Sequence, residues 1–213
     1  MADSEFFASP QRPYDRSRLR RSRLGRDPLV LFGQWLAQAI EVDDLDSHSM
    51  TLATADGQGR PSARIVLLKQ ADQDGFVFFT NYESRKAREL EDNPFAALVF
   101  YWPKMQRQVR VEGRVERVTE SESNAYFESR PRESRIAASI SPQSTVIESR
   151  ETIERSYRKL KKLPGAERPS HWGGFRLRPK AMEFWQGRPN RLHDRFLFTL
   201  QDDDGWKIER LAP

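Results

Sequence analysis

The segment from Glu183 to Phe196, EFWQGRPNRLHDRF, gathers ligand-binding residue types around one glycine- and proline-containing turn. His193 lies between two arginines and suits hydrogen bonding to a substrate hydroxyl, while Trp185 suits packing against a planar ring. The segment is therefore predicted to be a ligand-facing hairpin. A hairpin with a core tryptophan and solvated arginines remains an alternative explanation.

Clustered cations form a second candidate group. Ser84, Arg85 and Lys86 stand at the start of a predicted helix, where the backbone N–H groups and the macrodipole favour an anion. Two cations in that turn disfavour the isolated helix, and a bound phosphate would relieve the conflict. Ordinary surface charges explain the motif equally well.

Arg64 and Lys69 bracket the apolar run RIVLLK. In a regular strand these positions point to opposite faces, so both serve one site only if the strand is bulged or ends before Lys69.

Tyr126 and Arg130 are four residues apart, on one face of a predicted helix, and Ser134 follows the break at Pro131. An arginine fork with two hydroxyl groups is a possible phosphate cradle.

Other kinds of site are not favoured by the sequence. It has no cysteine, and its three histidines, His48, His171 and His193, have no ligand spacing, so no metal site is predicted, although carboxylates alone could hold magnesium or calcium. Neither GxGxxG nor GxxxxGK[ST] is present, so a bound phosphate must be held by side chains and helix ends. No apolar run approaches the roughly 20 residues of a membrane span, and we expect a cytoplasmic protein.

The net charge of +5 is concentrated near the start of the chain, where residues 11–26 hold seven arginines and one acidic residue. Residues 1–26 are predicted to be a flexible basic arm, and residues 27–213 a single domain. A solvated arm, a lid, a regulatory phosphate site involving Arg20, Arg21 and Arg210, and a nucleic-acid contact all remain open for this segment.

The first two helices are predicted at about 28–41, with Asp27 as N-cap, and at 84–92. A third begins at a Thr119/Glu122 capping box and runs through Phe127, and a short fourth follows to about Ser139. A fifth is predicted at 150–162. The segments predicted to be strands are MTLATA, RIVLLK, GFVFFT, a buried FAALVFYW, RQVRVEGRVER with one wet face, GFRLRP, AMEFWQG, DRFLFTL and GWKIERL. Short hairpin connections favour an antiparallel sheet or barrel of the α+β class over a doubly wound fold.

Several of these motifs resemble the pyridoxamine 5'-phosphate oxidase family, from about Asp27 to Pro213. They are RIVLLK, FFTNYESRKARELEDNP, RQVRVEGRVER, YFESRPRESRI, SPQS, WGGF, EFWQGRPNRLHDRF and WKIERLAP. The resemblance implies a homodimer of split β-barrel subunits with peripheral helices. Flavin mononucleotide (FMN) would lie at the interface, in sites completed by both chains.

The resemblance also assigns roles to individual residues. Those implied to contact FMN are Arg64, Ile65, Val66, Leu67, Leu68, Lys69, Phe79, Thr80, Arg85, Lys86, Gln108, Gln143, Ser144, Trp185 and Arg195. Those implied to bind the phosphate of the substrate are Lys69, Tyr126, Arg130 and Ser134. Those implied to contact its ring are Arg191, Leu192 and His193, of which Arg191 and His193 would be catalytic. Those implied to belong to a flap near the substrate are Arg12, Tyr14 and Asp46.

The chain departs from the family pattern at two places. It reads QRPY where RREY is usual, which weakens the roles of Arg12 and Tyr14. Phe79 stands where a tyrosine is common, although a backbone contact to flavin would survive that change.

The implied activity is oxidation of pyridoxamine or pyridoxine 5'-phosphate to pyridoxal 5'-phosphate, with O2 as acceptor and H2O2 as product. Alternatives are another split-barrel flavin oxidase, such as a phenazine-biosynthesis relative, or a non-catalytic basic barrel that binds nucleic acid. The hypothesis of a pyridoxamine or pyridoxine 5'-phosphate oxidase predicts no nucleic-acid or membrane partner.

Overall fold

The helices and strands lie close to the positions that the sequence predicts. A computed structural model describes residues 17–43, 46–163, 165 and 167–213. In these residues the elements are α1 Pro28–Val42, β1 Ser49–Ala55, β2 Pro61–Leu67, β3 Gln70–Asp72, β4 Gly75–Asn81, α2 Arg85–Asp92, β5 Phe95–Trp102, β6 Arg107–Arg117, α3 Glu120–Ser129, α4 Arg132–Ile140, α5 Arg150–Leu160, β7 Trp172–Gln186, β8 Asp194–Leu200 and β9 Trp206–Arg210.

All pairings between these strands are antiparallel, which confirms the predicted fold class. The strands form one curled sheet in the order β2-β1-β5-β6-β7-β4-β3, and β8 and β9 continue from β7. β7 is the organising strand because β4 pairs with its first half, β8 with its second, and β6 along most of its length.

The core lies on the concave face of the sheet and is rich in phenylalanine. On β6, Val109, Val111 and Val115 are buried and alternate with more exposed polar residues, which confirms the strand with one wet face. Helix α1 covers this core, with the Phe32 ring 4.9 Å from the rings of both Phe76 and Phe100.

The residues predicted to cap the helix N-termini form the expected hydrogen bonds, with one exception. Asp27 accepts a hydrogen bond from the Leu29 N–H at 2.8 Å, and Thr119 and Glu122 form a reciprocal capping box. Ser84 occupies the N-cap position of α2, but its side chain makes no capping bond; its hydroxyl instead accepts from Lys86 Nζ at 3.3 Å.

Two strand predictions were wrong. The pieces GFRLRP and AMEFWQG belong to one strand, β7, because the Pro179–Lys180 region sits at a bulge where the pairing with β6 shifts register between Glu112 and Gly113. The strand FAALVFYW is not fully buried: alternate residues of β5 point away from the core, and Phe95 and Tyr101 are more than half exposed.

Residues 17–26 of the basic arm contact the sheet. Leu19 belongs to the core cluster, and its N–H donates to Asp194 at 3.1 Å. Residues 1–16 lie outside the described residues. No helix in the described part of the chain is long and apolar enough to cross a membrane. The single-domain boundary and the cytoplasmic location stay predictions.

The bulge generates a prediction about stability. A Cβ added to Gly113 would lie 1.9 Å from the Arg178 carbonyl oxygen, so Gly113→Ala should destabilise the protein by about 3 kcal/mol or more. The matched control is Gly33→Ala in α1, where a Cβ meets no atom within 4 Å and helix propensity should add about 0.5–1 kcal/mol of stability. Urea unfolding measures both, and similar midpoints for the two variants would contradict this account.

Candidate active site

A cavity of about 980 Å³ opens beside β2, the N-terminus of α2 and the α3–α4 junction. Because β2 pairs only with β1 among the strands that the structure describes, its other edge is open to this cavity. Residues 62–67 all line it, although their side chains alternate between the two faces of the strand. β2 ends at Leu67, which allows Arg64 and Lys69 to line the same cavity and resolves the conflict of strand parity.

The first cationic group of the cavity is organised by a buried carboxylate. Glu89 accepts from Arg85 Nε at 2.7 Å and from Arg64 Nη2 at 3.2 Å. The hydroxyls of Thr54 and Ser62 also donate to it, at 2.5 and 2.6 Å. Burial opposes ionisation of Glu89, but these hydrogen bonds outweigh burial and lower its pKa to about 2.

Lys86 is a buried cation whose hydrogen-bond acceptors are neutral. Its Nζ donates to Gln143 Oε1 at 2.9 Å, to Thr80 Oγ1 at 3.1 Å and to Ser84 Oγ. Burial, followed by repulsion from Arg64, lowers the pKa of Lys86 to about 8, against attraction by Glu89. An anion in the cavity would compensate this ammonium group.

A second cationic group lies where α3 meets α4. The Arg130 guanidinium stacks over the Trp172 ring at 4.7 Å, and Lys69 Nζ lies 5.9 Å from the centre of the Tyr126 ring. Arg130 Nη1 is buried and has no hydrogen-bond partner among the described residues. A buried donor of this kind calls for an acceptor, and an anionic ligand is the natural one.

Aromatic rings support this second group. Phe79 stacks on Tyr126 with the ring centres 4.0 Å apart, and Trp172 stacks on Phe79 at 5.4 Å. Ser134 lines the same wall of the cavity. Tyr126, Arg130 and Ser134 therefore border one space, as their spacing predicts.

The segment EFWQGRPNRLHDRF covers the end of β7, a turn and the start of β8, which confirms that it is a hairpin, while its contact with a ligand stays a prediction. His193 Nδ1 accepts from the Arg188 N–H at 3.1 Å, which places the proton of the neutral ring on Nε2. Burial, then the charges of Arg191 and Arg195, lower the pKa of His193 below its usual 6.5. Arg191 has left-handed backbone, with φ of 60°, which is uncommon outside glycine.

A row of polar side chains crosses the outer face of the sheet beside this hairpin. Tyr101, Gln108, Trp185 and Arg195 are direct cross-strand neighbours on β5, β6, β7 and β8 and therefore share one face. The Trp185 ring centre lies 4.7 Å from that of His193. Trp185 thus faces outward and is not a core residue.

The cavity and the hairpin lie at opposite ends of β7. Phe79 pairs with Gly174 and Arg195 with Trp185, and these two β7 positions are eleven residues apart. At about 3.3 Å per residue, they are separated by roughly 36 Å of strand. In a single chain the predicted site residues therefore form two groups.

The cavity brings together the predicted residues Arg64, Ile65, Val66, Leu67, Lys69, Phe79, Thr80, Arg85, Lys86, Tyr126, Arg130, Ser134, Gln143 and Ser144. Gln108, Trp185, Arg191, Leu192, His193 and Arg195 lie at the hairpin end.

The outcome differs for the four other predicted residues. The Leu68 side chain lies in the core, with 3% of it exposed, so only its backbone is available to a ligand. Asp46 lines a different, mainly apolar cavity of about 410 Å³, next to Ser47 and Trp102. Arg12 and Tyr14 lie outside the described residues.

Sequence reasoning missed Trp172 and Glu89. Trp172 was part of the WGGF motif without a role, and its stacking on Arg130 joins residues 42 positions apart, which no local pattern reveals. Glu89 carried a weak signal, since it is four residues after Arg85 on one helix.

A family model described as pyridoxamine 5'-phosphate oxidase matches residues 38–163 of the chain. A second model, described as the pyridoxine 5'-phosphate oxidase C-terminal dimerisation region, matches residues 172–213. The chain belongs to the pyridoxamine 5'-phosphate oxidase family. The second match covers β7, β8 and β9, and it supports a homodimer.

Individual relatives agree with this family. The chain is 54% identical over 204 residues to a pyridoxine/pyridoxamine 5'-phosphate oxidase of Burkholderia mallei, covering 94% of this chain and 95% of the relative. Such names support an oxidoreductase of the pyridoxine/pyridoxamine phosphate oxidase type.

Two solved structures share the fold of this family member. PhzG from Burkholderia lata, in complex with tetrahydrophenazine-1-carboxylic acid, superposes with a TM-score of 0.86 at 31% identity, covering 90% of this chain and 95% of that one. A pyridoxamine 5'-phosphate oxidase-related, FMN-binding protein from Nostoc punctiforme gives 0.70 at 19% identity, covering 84% and 96%, and shows the fold alone.

The carboxylate of Glu89 generates a prediction about pH. Its folded-state pKa is below its ordinary value of 4.5, so it stabilises the fold above about pH 4.5, and this stability is lost as the pH falls toward 2. Glu89→Gln should cost up to about 3 kcal/mol at pH 7, with a smaller cost in acid.

The matched control is Glu91→Gln on the same helix as Glu89, which removes an exposed carboxylate paired with Arg117 of β6 and should cost less than about 1 kcal/mol. Urea unfolding at a series of pH values measures both variants. A Glu89→Gln deficit that stays constant between pH 5 and pH 2.5 would refute the linkage.

Proposed function

We propose that this protein is an FMN-dependent oxidase that converts pyridoxamine 5'-phosphate or pyridoxine 5'-phosphate to pyridoxal 5'-phosphate. O2 is the electron acceptor and H2O2 is released. Because the product is pyridoxal 5'-phosphate, the reaction serves vitamin B6 biosynthesis or salvage. The observation that carries the proposal is the cavity itself. It holds two cationic groups, one at α2 and one at the α3–α4 junction, as a phosphorylated flavin and a phosphorylated substrate together require.

The residues of the first group fit the phosphate of FMN. Lys86 is a buried ammonium with neutral partners, and Arg64 and Arg85 are held beside it by Glu89. The volume of about 980 Å³ lies at the upper end of the roughly 300–1,000 Å³ usual for ligand sites. When bound, FMN supplies a hydride acceptor whose electrons pass to O2.

The second group fits the phosphate of the substrate. Arg130 offers a buried Nη1 that has no hydrogen-bond partner within the described ranges, and its stacking on Trp172 fixes the plane of the guanidinium. Lys69 adds a second charge, while Tyr126 and Ser134 add hydroxyls. Held by its phosphate, the substrate ring would be positioned with little freedom, which is the main contribution of the protein to the rate.

A homodimer supplies the remaining residues. The outer sheet face that carries Gln108, Trp185 and Arg195 continues across Tyr101 on β5 to the exposed apolar side chain of Ile65 on β2. Such a face favours contact with a second copy. In this arrangement the hairpin of one protomer completes the cavity of its partner.

Arg191 and His193 then act on the substrate ring by position and charge. Because its pKa is lowered below 6.5, His193 is neutral at physiological pH, with Nε2 as its donor. Leu192 lies between Arg191 and His193 and is exposed. Asp46, Arg12 and Tyr14 remain proposed flap residues.

A phenazine-biosynthesis activity is the second candidate, because the similarity to PhzG covers most of the chain. The complete cradle of Lys69, Tyr126, Arg130 and Ser134 favours a phosphorylated substrate instead. A basic barrel that binds nucleic acid would require neither this cradle nor a flavin.

The decisive test is to purify the protein, record its visible spectrum and follow O2 consumption and H2O2 release. We expect a flavin spectrum and oxidation of both phosphorylated vitamers, with unphosphorylated pyridoxamine slower by at least about tenfold because the cradle is empty. A colourless protein that gains no activity with added FMN would end the proposal. Oxidation of a reduced phenazine carboxylic acid in preference to both vitamers would support the second candidate, and salt-sensitive DNA or RNA binding without flavin would support the third.

The division of roles at the hairpin gives another prediction. Replacing both Arg191 and His193 by alanine should slow flavin reduction by about 100-fold or more in stopped-flow experiments, because these residues would orient the reacting ring. The FMN dissociation constant should change less than about threefold, since neither residue is assigned to FMN. Arg150→Ala, an exposed arginine on α5, is the matched control. Equal losses in reduction and FMN binding would contradict the assignment.

A further inference from the structure

Arg195 is held from two sides by groups of its own chain. Its Nε donates to Glu183 Oε1 at 2.7 Å, and its Nη1 donates to the Ala212 carbonyl oxygen at 2.8 Å. The Leu211 N–H in turn donates to the Arg195 carbonyl oxygen at 3.0 Å, which ties residues 211–212 to β8. A guanidinium is planar, so two contacts in different directions fix its orientation.

Glu183 is an unusual residue for the outer face of a sheet. Only 4% of it is exposed, and its two oxygens contact Arg195 and, at 3.2 Å, Arg110 Nη1. It lies two residues before Trp185 on β7 and therefore points to the same face. A buried carboxylate is costly unless its partners satisfy it, so this arrangement calls for a specific role.

The contacts leave Arg195 able to bind a ligand. An arginine has five N–H donors, and in the described part of the chain two of them are used by Glu183 and Ala212. The Arg195 side chain is 27% exposed, and Arg195 is the direct cross-strand neighbour of Trp185. Its position is therefore set before any ligand arrives.

We propose that Glu183 is a positioning residue that, together with the Ala212 carbonyl, orients Arg195 for binding FMN at the site completed by a second copy of this chain. This inference rests on the proposed function, because Arg195 is assigned to the flavin there. Glu183 itself makes no contact with the flavin and acts through the arginine. Preorganisation of this kind raises affinity by removing the entropy cost of ordering the side chain on binding.

A double-mutant cycle tests the inference. Glu183→Gln keeps the size of the side chain and removes its charge, and Arg195→Lys keeps a charge but loses the planar fork. Each single variant should raise the FMN dissociation constant about tenfold, as expected when one charge-assisted contact is weakened. If Glu183 acts through Arg195, the double variant should bind no more than about twofold worse than Arg195→Lys alone.

Two controls keep the test sharp. Arg110→Gln removes the other partner of Glu183 and should bind FMN within about twofold of wild type. Glu209→Gln removes an exposed carboxylate on β9 and should also have no effect. Urea unfolding reports stability separately, and Glu183→Asp, which keeps the charge but withdraws it by one methylene, replaces Glu183→Gln if that variant folds poorly.

FMN binding is followed through the fluorescence of the flavin on titration with purified apoprotein. Independent losses that multiply to about 100-fold in the double variant, or a Glu183→Gln variant that binds as wild type does, would overturn the positioning role. Wild-type protein that does not bind FMN would instead overturn the proposed function. The two failures are therefore distinguishable.

Discussion

The structure depends on the continuous hydrogen bonding of β7. Fifteen residues of one strand pair with β4 at one end, with β8 at the other and with β6 along most of the length, so its two ends are rigidly related. The cavity is built against the first end and the hairpin against the second. The predicted ligand-binding residues of the cavity and those of the hairpin are thereby held far apart within one chain.

Acidic residues organise the arginines of both groups without lying where a ligand would bind. Glu89 contacts Arg64 and Arg85 from beneath the cavity, and Glu183 contacts Arg195 from within the outer sheet face. In each case a carboxylate with little exposure takes one side of a guanidinium and leaves other N–H groups for an anion. Lys86 and Arg130 differ, because in the part of the chain that the structure describes neither forms an ion pair with a carboxylate, and they carry the strongest demand for a ligand.

Much of the fold follows from patterns within a few residues. The Asp27 cap, the Thr119 capping box and the alternation on β6 are all local, and all three predictions were confirmed. The continuity of β7 could not be predicted in this way, because Pro179 suggests a strand end until the bulge opposite Gly113 is known. The outward face of β5 was missed since FAALVFYW is apolar on both faces.

The candidate site was predictable only where its residues are close together in the sequence. Tyr126 and Arg130 share a helix face, so their proximity follows from spacing, whereas the stacking of Trp172 on Arg130 depends on how β7 meets α3. The separation of the hairpin from the cavity also required the sheet topology. In a dimer that joins them, a protomer damaged in its cavity and another damaged in its hairpin would assemble into a mixed pair with one intact site. Two defective alleles of this gene would then partly complement each other.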